Sequence, residues 1–342
     1  MKARQPVQII GGGLAGLSLG VALRRAGVPV SIFEADDYPR HRVCGEFIAG
    51  LSETTIEQLG IDSVFVGAGS HRSVTWFRRD RTIRQQMLPE PARAISRFVL
   101  DARLAALFTA GGGALHPRHR HAEPAHGAGW VATAGRRTRP SSPWMGLKLH
   151  ARNLRTSDDL ELHLGDGAYV GVSAVEDGWI NVCGFFRRRP ELRIDREQPL
   201  PAYLRACGLS QLAERLAGAE VRPGSTKAMA GIAMDRRVTT GPGIRLGDAC
   251  AMIPPFTGNG MTMAFTGAAL ALCPLVAWSS GEASWEETVR VVRAALRREF
   301  RVRLAVAALL HPFLLHPPLQ HELGAVARAG LLPFTRFYQL LH

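Results

Sequence analysis

Six residues near the start, Gly11-Gly12-Gly13-Leu14-Ala15-Gly16, constrain this chain more than any other part of it. They satisfy the spacing GxGxxG, a weak signal on its own among 36 glycines. The flanks give it meaning. Val7-Gln8-Ile9-Ile10 reads as a strand running into the glycines. Leu14 to Ala26 reads as an apolar helix stopped by Gly27, and Val28 to Glu34 as a second, β-branched strand. This order predicts a βαβ unit of the dinucleotide-binding kind. In such a unit Gly11 permits the tight turn, Gly13 lets the backbone approach a pyrophosphate, and Gly16 lets the helix lie close to the sheet. The helix N-terminus offers free N–H groups and a positive dipole end to the phosphates. Glu34, eighteen residues beyond Gly16, is placed to accept both ribose hydroxyls of an adenosine and would repel a 2′-phosphate. These features suit NAD and FAD equally.

Further along, Ala94 to Ala110 reads as a helix, and His116 to Arg139 as loop or short strands rich in His, Arg, Pro and Gly. Leu160 to Phe186 alternates, with turn signals at Gly165-Asp166-Gly167 and Asp177-Gly178, which predicts an antiparallel meander. A strand returns at Ile244-Arg245-Leu246, followed by a second glycine-bearing turn and an apolar helix. Met261 to Trp278 approaches membrane-span length but holds Thr262, Thr266, Gly267 and Pro274, so a buried core helix is expected. Helical pattern runs from Ala283 to Ala308 and resumes after the prolines at 312, 317 and 318. Two pieces of one nucleotide-binding unit therefore bracket a sheet-rich insertion. The expected division gives residues 1–70, 92–140 and 225–282 to a discontinuous nucleotide-binding domain. Residues 71–91 and 141–224 form a substrate domain, and 283–342 a helical C-terminal segment.

The net charge of +13 invites a nucleic-acid reading. The basic residues are nearly all arginine, with Lys2, Lys148 and Lys227 the lysines, and are scattered rather than gathered in a stripe with interleaved aromatics. Nucleic acid is therefore not expected as a partner. A general attraction to phosphorylated cofactors, an acidic carrier protein or a membrane surface stays open. The cysteines, Cys44, Cys183, Cys207, Cys250 and Cys273, are odd in number and lack CxxC spacing. That speaks against a zinc site or a disulfide framework, and the expected location is cytoplasmic.

The choice between dinucleotides comes from Gly247-Asp248-Ala249 followed by Pro255, Gly258 and Gly260. This GDA-x-x-x-x-x-P-x-x-G-x-G pattern resembles the FAD-binding segment of glutathione-reductase-like flavoproteins. Within them it is similar to the aromatic hydroxylase and geranylgeranyl reductase group, the group A monooxygenase-like flavoproteins. Arg40-His41-Arg42-Val43-Cys44-Gly45-Glu46 resembles the group's segment beside the flavin, and Ser96-Arg97-Phe98-Val99-Leu100-Asp101 its helix start where an arginine reaches the cofactor. The resemblance implies an α/β fold with a Rossmann-type FAD-binding domain, an inserted antiparallel substrate domain and C-terminal helices. It implies FAD as cofactor and NAD(P)H as electron donor. The implied cofactor contacts are Gly11, Gly13, Leu14, Ala15, Gly16, Glu34, Ala35, Arg42, Val43, Cys44, Gly45 and Arg97. From the second half come Gly247, Asp248, Pro255, Gly258, Asn259, Gly260 and Met261.

Two departures qualify the chemistry. Where many hydroxylases of the group carry Asp-Gly, this chain has Ala134-Gly135-Arg136, and the halogenases' Trp-x-Trp-x-Ile-Pro segment is absent. The resemblance implies an oxidoreductase, foremost a monooxygenase of an apolar or aromatic secondary metabolite, free or carrier-bound. A C=C reductase or dehydrogenase and a non-catalytic flavin-binding accessory protein stand as alternatives.

No residue compels a catalytic role. Lys148 and His150 alternate with Leu147 and Leu149 and share one face of a strand, which lines either an active site or solvent. Cys44 reads as a small apolar residue beside the ring, with a redox thiol as the sharper alternative. His116, His119, His121 and His126 lack a partner cysteine or paired carboxylates, so a solvated loop is expected and no metal. Phe256 and Thr257 are candidates for the substrate pocket. Leu304 to Leu319 is read as packing over that pocket, with a lipid-facing or carrier-docking surface as the alternative.

Overall fold

The computed structural model describes residues 3–121, 127–135, 138–193, 195, 198–239 and 241–342. It opens as β1 (Val7–Ile10), α1 (Leu14–Arg25) and β2 (Val30–Phe33), close to the expected limits. Next come β3 (Phe47–Ile48), α2 (Glu53–Leu59), a long hairpin of β4 (Gly69–Arg78) and β5 (Arg81–Ala94), and α3 (Arg97–Ala110). Two short strands follow, β6 (Ala114–His116) and β7 (Trp130–Ala132). The meander consists of β8 (Trp144–Arg152), β9 (Leu160–Gly165), β10 (Ala168–Ala174) and β11 (Ile180–Arg187). After α4 (Pro199–Ala206), α5 (Ser210–Ala217), β12 (Glu220–Val221), β13 (Lys227–Ala230) and β14 (Ile244–Arg245), helices close the chain. These are α6 (Gly260–Ser280), α7 (Trp285–Leu315), α8 (Pro317–Arg328) and α9 (Phe334–Leu341).

The first sheet is parallel, in the order β14-β7-β1-β2-β6. From β1 the chain proceeds to one side, through β2 and β6, and β7 and β14 then fill the other. The order thus reverses between β1 and β7, and a crevice opens at the carboxyl ends of those strands. Gly11 lies in it with φ +107°, and a Cβ there would sit 2.4 Å from Ala134 beyond β7. At Gly16 a Cβ would come within 2.1 Å of the Gly11 carbonyl oxygen, so α1 can cross the sheet this closely only without a side chain there. Helix α1 packs between α3 and α6, its residues from Leu14 to Leu23 all buried.

The second sheet runs β12-β8-β11-β10-β9-β4-β5-β3, with β13 also on β8. It is antiparallel except where β4 lies parallel to β9. Its strands Gly69–Arg78, Arg81–Ala94 and Lys227–Ala230 come from beyond the expected meander, and Lys227–Ala230 from within the segment expected to be nucleotide-binding. One face of β8 packs Leu147, Leu149 and Ala151 against α4 and α5.

Helix α6 is the one described helix long and apolar enough to cross a membrane. It packs against α1, α2 and α7, with Phe265, Ala268, Ala271 and Leu275 fully buried, which agrees with the expected core helix. Helix α7 continues through Pro312 to Leu315 rather than stopping near Ala308, and ends before Pro317-Pro318, the N-terminal residues of α8.

Candidate active site

One cavity of about 580 Å³ runs from the crevice of the first sheet, along the segment Arg42–Phe47, to the space between the second sheet and the C-terminal helices. It collects nearly every residue singled out in the sequence for cofactor contact. Gly11, Gly13, Leu14, Ala15, Glu34, Ala35, Arg42, Val43, Cys44, Gly45 and Arg97 line it, as do Gly247, Asp248, Pro255, Gly258, Gly260 and Met261. Gly16 and Asn259 do not. Gly16 is taken up by helix–strand packing, and Asn259 is fully buried, donating from Nδ2 to the Thr257 carbonyl.

The wall is bare backbone at several points. A Cβ built at Gly45, Gly135 or Gly260 would meet nothing within 4 Å, and one at Gly13 would meet only Arg97 Nη2 at 3.9 Å. All four line the cavity, so the lost side chains leave a cradle against the main chain. Gly13 and Asn259 are the N-caps of α1 and α6, and neither helix has a side-chain cap. Both therefore turn unsatisfied N–H groups and the positive ends of their dipoles toward the same space.

Charged groups gather at the first-sheet end. The Gly12 N–H donates to Glu34 Oε2 at 2.7 Å and the Asp36 N–H to Glu34 Oε1 at 3.1 Å. Arg40 Nη2 lies 3.0 Å and Arg42 Nη2 3.6 Å from Glu34 Oε2. Arg97 makes a bidentate pair with fully buried Asp101, at 2.7 and 2.8 Å. Burial opposes the Arg97 charge, but Asp101 outweighs it and keeps the guanidinium cationic. Phe33, with His116 stacked on it at 4.9 Å, closes this end together with His119, Arg120 and His121. His119 and His121 border the cavity from a loop in which His119 is exposed, as expected of a solvated segment, and His121 is half-buried; His126 lies outside the described residues. No group of metal-ligating side chains is present among the described residues.

Lys148 and His150 share one face of β8, which meets the cavity at Gly146, but neither side chain reaches solvent or the cavity. Both are fully buried, and both bind Glu46, the former at 2.6 Å to Oε1 and the latter at 2.6 Å to Oε2. The solvent-face alternative is thereby corrected: the face is covered by the segment Arg40–Glu46, with His41 edge-on to His150 at 5.0 Å. Glu46 itself lines the cavity, also accepts the Arg97 N–H at 2.9 Å, and adopts φ +55°, uncommon outside glycine. Burial alone would raise the Glu46 carboxyl; Lys148 and the His150 hydrogen bond outweigh it and hold the group below the usual carboxylate range. Sequence reading missed Glu46. Its signal was indirect: two basic side chains on one buried strand face demand a carboxylate.

Cys44 Sγ sits 3.3 Å from Met261 Sδ, and burial pushes the thiol up, as for a packing residue rather than a reactive thiolate. Phe256 and Thr257 both line the cavity. Leu310 and Leu314 of α7 line the far wall, in keeping with the expected packing of Leu304 to Leu319 over the pocket, whereas Phe334, Phe337, Tyr338 and Leu341 of α9, which join them, were not singled out in the sequence.

A family model described as pyridine nucleotide-disulphide oxidoreductase matches residues 6–66, the segment carrying β1, α1 and β2. Among curated proteins no sequence match is found. Solved structures match along nearly the whole chain. Klebsiella pneumoniae HpxO, complexed with FAD and uric acid, gives a TM-score of 0.75 at 16% identity, covering 98% of this chain and 96% of that one. The p-nitrophenol 4-monooxygenase PnpA from Pseudomonas putida DLL-E4 gives 0.75 at 14% identity, over 100% and 97%. The flavin-dependent brominase Bmp2 gives 0.73 at 15% identity, over 99% and 93%. This chain has their fold.

Proposed function

We propose that the protein is an FAD-dependent oxidoreductase, foremost a monooxygenase of an apolar or aromatic small molecule, using NAD(P)H as electron donor. The observation that carries the reading is the cradle of bare glycines facing two uncapped helix N-termini in one crevice. A flavin dinucleotide fits this donor set: N–H groups and arginines for a pyrophosphate, a carboxylate at the end of β2 for a ribose, and an aromatic end at Phe33. The FAD bound to HpxO and the monooxygenase PnpA point the same way.

In this reading Glu34 receives the ribose hydroxyls by loosening its bond to Arg40, and Arg42, Arg97 and the N-terminus of α1 hold the phosphates. Asp248 would hold the linking chain, and the uncapped N-terminus of α6 would favour negative charge on a ring bound there. Bound FAD would supply electron transfer between nicotinamide, oxygen and substrate. The chain's own residues Val43–Gly45 would orient the ring, and the walls of the second sheet would exclude water. We assign residues 1–70, 92–140 and 225–282 to FAD and 71–91 with 141–224 to substrate, with Lys227–Ala230 lending a strand to the latter. Residues 283–342 close the pocket, and a cytoplasmic location suits a nicotinamide-driven enzyme.

Anaerobic mixing of the FAD-loaded protein with NADH and with NADPH, followed by oxygen, tests the reading. Bleaching and reoxidation of the flavin band are expected. A protein that retains no FAD overturns the assignment, and one that retains it without bleaching moves the weight to a reductase partner or an accessory role.

A further inference from the structure

The cavity is electrically divided. Its arginines, Arg42, Arg97 and Arg120, all lie at the first-sheet end. The other lobe is walled by the second sheet and by α7, α8 and α9. Among the described lining residues from those elements there is no aspartate, glutamate, lysine or arginine. Trp76, Leu162, Phe185, Met229, Leu314 and Phe337 typify the surface. Glu46, which lines the cavity just before β3, is already matched by Lys148.

The titratable groups around the lobe are uncharged at neutral pH as well. His311, set among Trp144, Tyr169, Phe185 and Phe256, is lowered by burial to about 4. His342 is likewise lowered by burial to about 4. Burial raises the Tyr169 hydroxyl, Tyr338 to about 12, and the Cys183 thiol. A buried anion gains stability only from an opposite charge or several hydrogen-bond donors, and this lobe has no countercharge to offer.

We propose that this lobe selects an uncharged, hydrocarbon-rich substrate and rejects its carboxylate or phosphate counterparts. The inference rests on the lobe being the substrate pocket of the proposed oxidoreductase. It goes beyond that reading by fixing charge, not merely polarity. A fold shared with a protein crystallised with uric acid does not require it.

The test uses isosteric pairs at pH 7: 2-naphthamide against 2-naphthoate, and dodecanamide against dodecanoate. Each is titrated into the FAD-loaded protein, read by flavin difference absorbance, and into the FAD-free chain, read by tryptophan fluorescence from Trp76 and Trp144. The amides are expected to bind on the order of 100-fold more tightly than the carboxylates, the scale set by an unpaired buried charge. Carboxylates binding as tightly as the amides, or amides failing to bind in both pairs, overturns the inference. The two readings fail separately: amide preference in a chain that retains no FAD sinks the oxidoreductase and leaves the lobe's selectivity standing. Met234→Arg, in a loop lining the cavity, is expected to shift the preference toward 2-naphthoate; the wild-type pairs decide the matter should that variant not fold.

Discussion

Glu46 and Lys148 form an ion pair of 2.6 Å in which neither side chain is exposed to solvent. It ties the segment beside the cavity to the middle of the second sheet, with His150 as its second anchor. Lys148→Met leaves the carboxylate buried with its charge uncompensated and is expected to destabilise the FAD-free protein by about 3–5 kcal/mol. Adding Glu46→Gln should restore part of that loss. Denaturant unfolding of both variants checks it, and equal stability of the single and wild-type proteins would refute a charged pair.

Gly13 and Gly16, three residues apart, should answer differently to one methyl group. Gly13→Ala meets nothing closer than 3.9 Å, so the melting temperature of the FAD-free chain should hold while FAD affinity drops by roughly tenfold or more. Gly16→Ala drives a methyl group against Gly11 O and Thr133 Oγ1 and should lower stability itself by about 1–3 kcal/mol. Thermal melts with and without FAD separate the cases.

Acid should weaken the fold in two stages. His311 and His342 are lowered to about 4 by burial, and His41 to about 3 by burial and by the nearby Lys148 and His150. Unfolded, each binds a proton near 6.5, so the unfolded chain holds more protons between pH 6.5 and 4. Their contribution is complete above 6.5 and is lost as pH falls through the folded values. Glu161, lowered to about 2 by His163 and Arg215 against the opposing effect of burial, adds a loss that begins below 4.5. His311→Phe keeps a ring in the aromatic cluster and should flatten melting temperature against pH between 6.5 and 4. An unchanged slope would show that His311 is protonated alike in both states.

Cys273 is exposed on α6, whereas burial raises Cys44, Cys183, Cys207 and Cys250. A thiol reagent should therefore label one cysteine quickly in the native protein and all five after denaturation. Rapid labelling of Cys44 instead would revive its reading as a redox thiol.

The nucleotide half of the site was legible because its physics is local. A turn that must bare its backbone can only be written with glycines, so Gly11, Gly13, Gly247, Gly258 and Gly260 announced themselves, and the cavity gathers them from positions over 200 residues apart. The β4–β5 hairpin was not legible. Arg81-Thr82-Ile83-Arg84-Gln85-Gln86 lies largely exposed or half-buried, so no apolar alternation marks it. Glu46 stayed hidden because its partners come from β8, about a hundred residues on, and only the fold brings them together. The α9 wall was obscured for a similar reason, since its apolar face has meaning only against the second sheet.

The placement of β14 bears on how the chain comes to be folded. The first sheet receives its last strand from Ile244–Arg245, and α1 receives its covering helix only with Gly260–Ser280. During synthesis the N-terminal βαβ unit must wait, with the edge of β7 open and one side of α1 bare, while the second sheet emerges and assembles. Long-range closure of this kind is slow and leaves sticky surface in the interval. A ribosome-bound fragment stopped before residue 244 should thus hold a finished-looking meander beside an unfinished nucleotide unit, and holdase chaperones should grip that fragment and release the complete protein.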